Sequence, residues 1–184
     1  SILRKAILAG EFHEGQELSL TDLGRKLGVS RTPVREAFQT LASEGLIQLR
    51  MNKGAIVKGI NPKFITDHYE MRILLECEAV VRATVNQMNT SLLFEIQQKI
   101  ADNLSVVTQD EYINYNQVLH TSVWKAAGNQ KLYNFLMALW NGPSVGKTTT
   151  DAEHRSKSIQ EHGEIIQYIY SHEPDKAKKA MDKH

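Results

Sequence analysis

Gly28-Val29-Ser30-Arg31-Thr32-Pro33-Val34-Arg35-Glu36-Ala37 is the stretch that decides how this chain is read. Pro33 has no N–H to donate, and its ring collides with the preceding turn, so it is tolerated only in the first turn of a helix. A helix therefore starts near Arg31. From there Val34, Ala37, Phe38 and Leu41 recur at helical spacing and form one apolar face. Arg31, Thr32 and Arg35 fall on the opposite face. Gly28 closes the preceding helix, and Val29-Ser30 leave room only for a tight turn.

The flanks extend the pattern. Upstream, Ile2, Leu3, Ala6 and Ile7 make a short amphipathic helix that Gly10 ends. Ser19 is placed to cap a second helix, with Asp22 completing a capping-box spacing and Leu20, Leu23 and Leu27 turned inward. Downstream, Gly45 ends the third helix. Two strand-like runs, Leu46 to Leu49 and Ala55 to Lys58, flank Met51-Asn52-Lys53-Gly54, a hairpin signal. Helix, helix-turn-helix and hairpin, in that order, predict a winged helix over residues 1–59.

In such a module the second helix of the helix-turn-helix enters the DNA major groove and reads with its N-terminal residues. Arg31 and Arg35 then present guanidinium forks suited to guanine O6 and N7, with Thr32 beside them. Ser30 and Thr21 are placed for the phosphate backbone. Lys53 and Gly54 at the hairpin tip are expected at the minor groove or a phosphate.

Asn61-Pro62 marks a boundary, with Asn61 as cap and Pro62 as first helical residue. Beyond it the reading is all helix, near 62–88, 91–107, 110–127, 130–140, 152–170 and 174–184. Gly128-Asn129 breaks the third of these from the fourth, and Asn141 to Thr150 is the longest loop. The fold class is mainly α: a winged helix with a small β-hairpin, then an all-α bundle over residues 60–184.

Residues 2–58 resemble the winged-helix domain of GntR-type bacterial regulators. The likeness rests on Ile7-Leu8-Ala9-Gly10, Gly15, Leu18, Leu23, the string above, Leu41, Glu44-Gly45-Leu46-Ile47 and Lys53-Gly54-Ala55-Ile56-Val57. The remainder resembles the FadR-like branch, whose all-helical C-terminal FCD domain binds effectors. The resemblance implies a sequence-specific DNA-binding transcription regulator, in the commoner sense a repressor. It implies a homodimer on a pseudo-palindromic operator, with ligand binding shifting operator affinity.

Seven histidines are present. Asn116 and His120 share a helical face at i and i+4. His162 follows Glu161 on another helix, and His184 follows Ala180-Met181 on a third. Imidazoles from separate helices can meet only inside a bundle, where bundles build metal sites; scattered histidines are otherwise ordinary surface or core residues. Members of this branch often carry an Asp and a His four apart, a His in a Glu-His pair and a His near the C-terminus, which together bind a metal. His120, His162 and His184 match, with Asn116 where the aspartate is usual. A divalent transition metal is implied, zinc or nickel foremost. His13, His68, His154 and His172 do not match and are read as surface residues. Arg72, in Glu70-Met71-Arg72-Ile73-Leu74-Leu75-Glu76, resembles the branch's first sensor helix. It either holds a ligand carboxylate bidentately or pairs with Glu76 at i+4. Arg155 is a second arginine candidate, and Asn129 reads as a helix stop.

Composition bounds the alternatives. With 184 residues and 41% hydrophobic content the chain can bury two cores. No apolar run reaches the roughly 18 residues of a membrane helix. Arg4 and Lys5 interrupt any signal-peptide pattern. Both ends read as trimmed, since there is no starting Met and His184 falls mid-helix. Cys77 is the single cysteine, which suits a reducing, cytoplasmic setting and excludes a cysteine-based zinc cluster. The net charge of +1 is uneven: residues 1–58 hold nine Lys/Arg against six Asp/Glu, and residues 59–184 hold thirteen against fifteen, so +3 and −2. A basic head on an acidic body suits a module that meets phosphates at one end. Two rival readings remain. One is a regulator for which the metal itself is the signal. The other is a metal-dependent hydrolase, which lacks a paired carboxylate or nucleophile motif.

Overall fold

The computed structural model describes residues 2–51, 53–140 and 152–184. By contacts these fall into two compact units, Ser1–Asp67 and His68–His184. The division lies a few residues beyond the 59/60 boundary read from Asn61-Pro62.

The first unit contains α1 (Ile2–Leu8), β1 (Glu17–Leu18), α2 (Leu20–Leu27), α3 (Arg31–Ser43), β2 (Ile47–Arg50) and β3 (Gly54–Val57). Ser19 caps α2, its hydroxyl oxygen accepting the Asp22 N–H at 3.3 Å. Asp22 itself faces Arg25 at 3.8 Å. Gly24 makes the tight turn possible: a Cβ there would meet the Val29 carbonyl oxygen at 2.9 Å. Val34, Phe38 and Leu41 of α3 are buried against Leu3 and Ile7 of α1 and Ala55 and Val57 of β3. Each such side chain contributes about 1.5–3 kcal/mol of hydrophobic stabilisation.

The sheet has three antiparallel strands in the order β1-β3-β2. The hairpin stands where the sequence places it, one residue displaced on each strand. β1 was not expected. Two residues cannot display an alternating pattern, so nothing local announces it. The turn residue Asn52 lies outside the described residues.

The bundle comprises α4 (Pro62–Val85), which begins in the first unit, then α5 (Ser91–Asp102), α6 (Gln109–Ala126), α7 (Gln130–Trp140), α8 (Ala152–Tyr170) and α9 (Pro174–Lys183). Asn61 caps α4, its Oδ1 accepting the Phe64 N–H at 2.8 Å. A full capping box between Thr108 and Glu111 starts α6. The helix expected to run to 107 stops at Asp102. There the Asn103 side chain donates to the Lys99 carbonyl at 2.9 Å and competes with the backbone ladder. Asn129 is less a stop than a start, because its Oδ1 accepts the N–H groups of Lys131 and Leu132 at the head of α7. The loop expected over Asn141 to Thr150 lies outside the described residues.

α8 packs on α9 and on α5, and α6 on α7. Two apolar clusters flank α8. Ile165 and Ile169 join Val80, Ala83 and Trp124; Ile159 and Ile166 join Leu93, Tyr115 and Leu119. No helix among the described residues is long and apolar enough to cross a membrane.

Candidate metal and ligand site

Side chains from the inner faces of α6 and α8 and from the end of α9 come together. His120 comes from α6, His162 from α8, and His184 follows the last turn of α9. One ring nitrogen from each lies within 4.8 Å of the others. His162 Nε2 and His184 Nε2 are 3.1 Å apart. Two imidazole nitrogens bound at ~2.1 Å to one zinc stand ~3.0–3.4 Å apart for bond angles between 90° and tetrahedral, so this pair already has ligand spacing. His120 Nε2 is buried and has no hydrogen-bond partner among the described residues. A buried polar nitrogen without a partner is costly, and a cation at the centre of the three rings would satisfy it.

Two of the imidazoles have a carboxylate behind them. Glu76 Oε2 is 3.1 Å from His120 Nδ1, and Glu161 Oε2 is 3.1 Å from His184 Nδ1. An ionised carboxylate only accepts, so each Nδ1 carries the proton and each Nε2 presents its lone pair inward. This is the usual outer support of a metal-binding histidine. Burial together with His184 and His120 holds the His162 imidazole well below its ordinary 6.5. Burial and His120 lower His184 too, against the pull of Glu161. Both rings are neutral at pH 7, the form that binds metal. Burial alone would raise the Glu76 carboxyl, but His120, Arg72 and the Trp124 N–H bring it down to about 2.

A cavity of about 450 Å³ opens beside the cluster, and Arg72, Asn116, His120 and His184 belong to its wall. His162 is fully buried and is not a wall residue. Arg72 makes the i+4 pairing with Glu76 and also stands on the cavity wall. Its Nε donates to Glu76 Oε1 at 3.2 Å, and its guanidinium lies 4.5 Å above the Trp140 ring centroid while facing the cavity. Arg155 is not among the wall residues. His154, read as a surface residue, is exposed and also borders the cavity, as do Tyr112 and Ser158, joined hydroxyl to hydroxyl at 2.9 Å. His154, Ser158 and His162 recur every four residues along α8. That i, i+4 stripe was the available signal for a polar inner face.

In the first unit, Thr21, Ser30, Arg31, Thr32, Arg35 and Lys53 are all exposed. Ser30 occupies the N-cap of α3 without using its hydroxyl on the helix. Gly54 has a reason within the fold to be glycine. A Cβ there would run into the Leu18 carbonyl oxygen, and its φ is +92°. The missing side chain makes room for β1.

Residues 1–57 match the bacterial regulatory proteins of the gntR family, and residues 67–184 match the FCD domain. The chain belongs to the GntR-type transcriptional regulators that carry an FCD domain. The gluconate operon transcriptional repressor of Bacillus licheniformis is 30% identical over 142 residues, covering 76% of this chain and 56% of the repressor. The match thus spans little more than half of that relative's length. E. coli McbR/YncC shares the fold, with a TM-score of 0.63 at 19% identity over 99% of this chain and 89% of its own. The metal-free FCD domain of TM0439 has a TM-score of 0.58 at 21% identity, over 68% of this chain and 89% of its own. The domains and relatives of this GntR-type chain are those of a transcription regulator, not of an enzyme, which sets aside the hydrolase reading.

Proposed function

We propose that this GntR-type regulator is a repressor whose operator affinity is set by a small carboxylate bound beside a divalent metal, zinc or nickel. Residues 1–59 form the DNA-binding domain, with Arg31, Thr32 and Arg35 reading bases and Thr21, Ser30, Lys53 and the Gly54 turn on the backbone. Residues 60–184 form the effector and dimerisation domain. His120, His162 and His184 hold the metal, and Asn116 offers a weak amide oxygen. Bound there, the metal supplies a Lewis-acidic centre that accepts a carboxylate oxygen. Arg72 takes the ligand's anionic end.

One observation carries this reading: Arg72, Asn116 and two of the three clustered imidazoles line a single cavity. A neutral ligand would leave the Arg72 guanidinium without a use beyond Glu76, whereas a carboxylate engages both cation and metal. The name of the Bacillus relative, a repressor of a gluconate operon, agrees with a small carboxylate as signal. A ligand that binds one arrangement of the protein better than another shifts DNA affinity by that difference.

The test starts from genomic DNA. Fragments retained by the purified protein should share a pseudo-palindrome, and zinc plus a carboxylate handled by the products of the neighbouring genes should change operator affinity. Retention of fragments with no common sequence would refute the reading. A full response to metal without any organic ligand would replace it with the metal-sensor alternative.

A further inference from the structure

Glu76 is engaged more heavily than an ion pair requires. It is 4% exposed, on the inner face of α4. Its Oε1 accepts from Arg72 Nε at 3.2 Å, one turn back on the same helix. Its Oε2 accepts from Trp124 Nε1 at 2.7 Å and lies 3.1 Å from His120 Nδ1, both on one face of α6. The two oxygens therefore face two different jobs. Oε2 settles which nitrogen of His120 is bare, and Oε1 settles where the Arg72 guanidinium rests. Trp140 closes the loop, lying under Arg72 at 4.5 Å and against the His120 ring at 5.0 Å.

We propose that Glu76 is the positioning residue that couples the anion-binding half of the site to the metal-binding half. The proposal rests on the metal and carboxylate reading above. While Arg72 sits on Oε1, it withdraws carboxylate charge from His120. A ligand carboxylate that draws the guanidinium away returns that charge to Oε2, makes His120 a stronger donor and tightens the metal. By reciprocity the bound metal favours the anion to the same degree. Glu161 supplies the contrast. It supports His184 in the same way, at 3.1 Å, but its other oxygen faces Lys157 at 3.8 Å rather than a cavity arginine. Glu161 supports a ligand; Glu76 supports a ligand and is shared with the anion's partner.

The experiment is a double-mutant cycle read by zinc competition against a chromogenic chelator at pH 7.5, with the full chain and no organic ligand. Glu76→Gln should weaken zinc by roughly 10–100-fold, as loss of an outer hydrogen-bond partner does. Arg72→Ala should tighten zinc roughly fivefold in the wild-type background, the lower end of ordinary coupling between sites. In the Glu76→Gln background that effect should vanish, and in Glu161→Gln it should persist. An Arg72→Ala effect of the same size with and without Glu76 overturns the proposal, because the arginine would then act by its field alone.

A second readout needs no metal. Nitrogen-15 imidazole spectra of the metal-free protein should show His120 protonated at Nδ1, and Arg72→Ala should shift that signal. An unmoved His120 signal, or an Nε2-protonated ring, overturns the proposal even if Glu76→Gln fails to fold. Wild-type protein that binds no zinc removes the metal reading itself. The coupling proposal falls with it, and that failure is distinct from zinc binding that ignores Glu76.

Discussion

His162 Nε2 and His184 Nε2 face each other across 3.1 Å, although 22 residues separate them along the chain. His184 Nδ1 is committed to the Glu161 carboxylate at 3.1 Å, so its Nε2 points a lone pair at His162. Two ring nitrogens at this separation share either one proton or one cation. The buried Nε2 of His120, without a partner among the described residues, favours the cation, because a proton between the other two rings leaves it unsatisfied.

Removing the buried ligand should remove the metal. His162→Ala is expected to abolish zinc retention through gel filtration, as read by elemental analysis. Asn116→Asp should tighten zinc by about 1 kcal/mol or more, from one added negative charge at close range. Unchanged zinc content in His162→Ala would show that these three rings do not share an ion.

Acid should act on the site in a stated direction. The imidazoles of His162 and His184 are held below 6.5, so above that pH both native and unfolded chains carry them neutral and stability is insensitive to them. Below 6.5 the unfolded chain takes up protons that the native rings refuse, and stability falls with pH until the native values are passed. Urea midpoints of metal-free protein should therefore drop between pH 7 and 5, and replacing His162 by Gln should reduce the slope. Zinc affinity should fall over the same range as protons compete for the rings.

On DNA, the outer face of α3 should carry base preference and the wing should carry affinity alone. Arg31→Ala and Arg35→Ala should each cost about 1–3 kcal/mol and relax selectivity at one position per half-site. Lys53→Ala should weaken all sequences evenly and flatten the salt dependence. Anisotropy titrations on operator and scrambled duplexes at two salt concentrations separate these outcomes; wild-type selectivity in both arginine variants would sink the interface.

Gly54 offers a test of the fold alone. An alanine there meets the Leu18 carbonyl and must adopt a φ of +92°, so Gly54→Ala should destabilise the first unit by about 1–3 kcal/mol. Thermal unfolding should show the loss. If Gly54 served only approach to DNA, stability would be unaffected and operator binding alone would suffer.

Operator binding of the proposed kind calls for two recognition helices. Light scattering at micromolar concentration should give about twice the 20.8 kDa chain mass. A monomer that protects a single half-site would contradict the dimer.

Much of this molecule is written locally. Pro33 sets the start of α3, Asn61 and Pro62 that of α4, and Thr108 with Glu111 that of α6, because each acts through φ restriction or a hydrogen bond within four residues. The periodicity of Val34, Phe38 and Leu41 likewise names the buried face without a structure. Spacing puts Asn116 and His120 on one helical face, but it is the family resemblance that singles out His120, His162 and His184 from seven histidines. What spacing could not supply is who stands behind them. Glu76 and His120 are 44 residues apart, and Glu161 and His184 are 23 apart, so their pairing depends on how helices cross and not on any local rule. The same holds for β1, whose two residues gain meaning only by pairing with β3, and for Gly54, whose missing side chain matters only because Leu18 lies over it. Backbone preferences and short hydrogen bonds are decided residue by residue along the chain. The tautomer of an imidazole, the sharing of one carboxylate and the empty space around a glycine are decided only when distant segments pack.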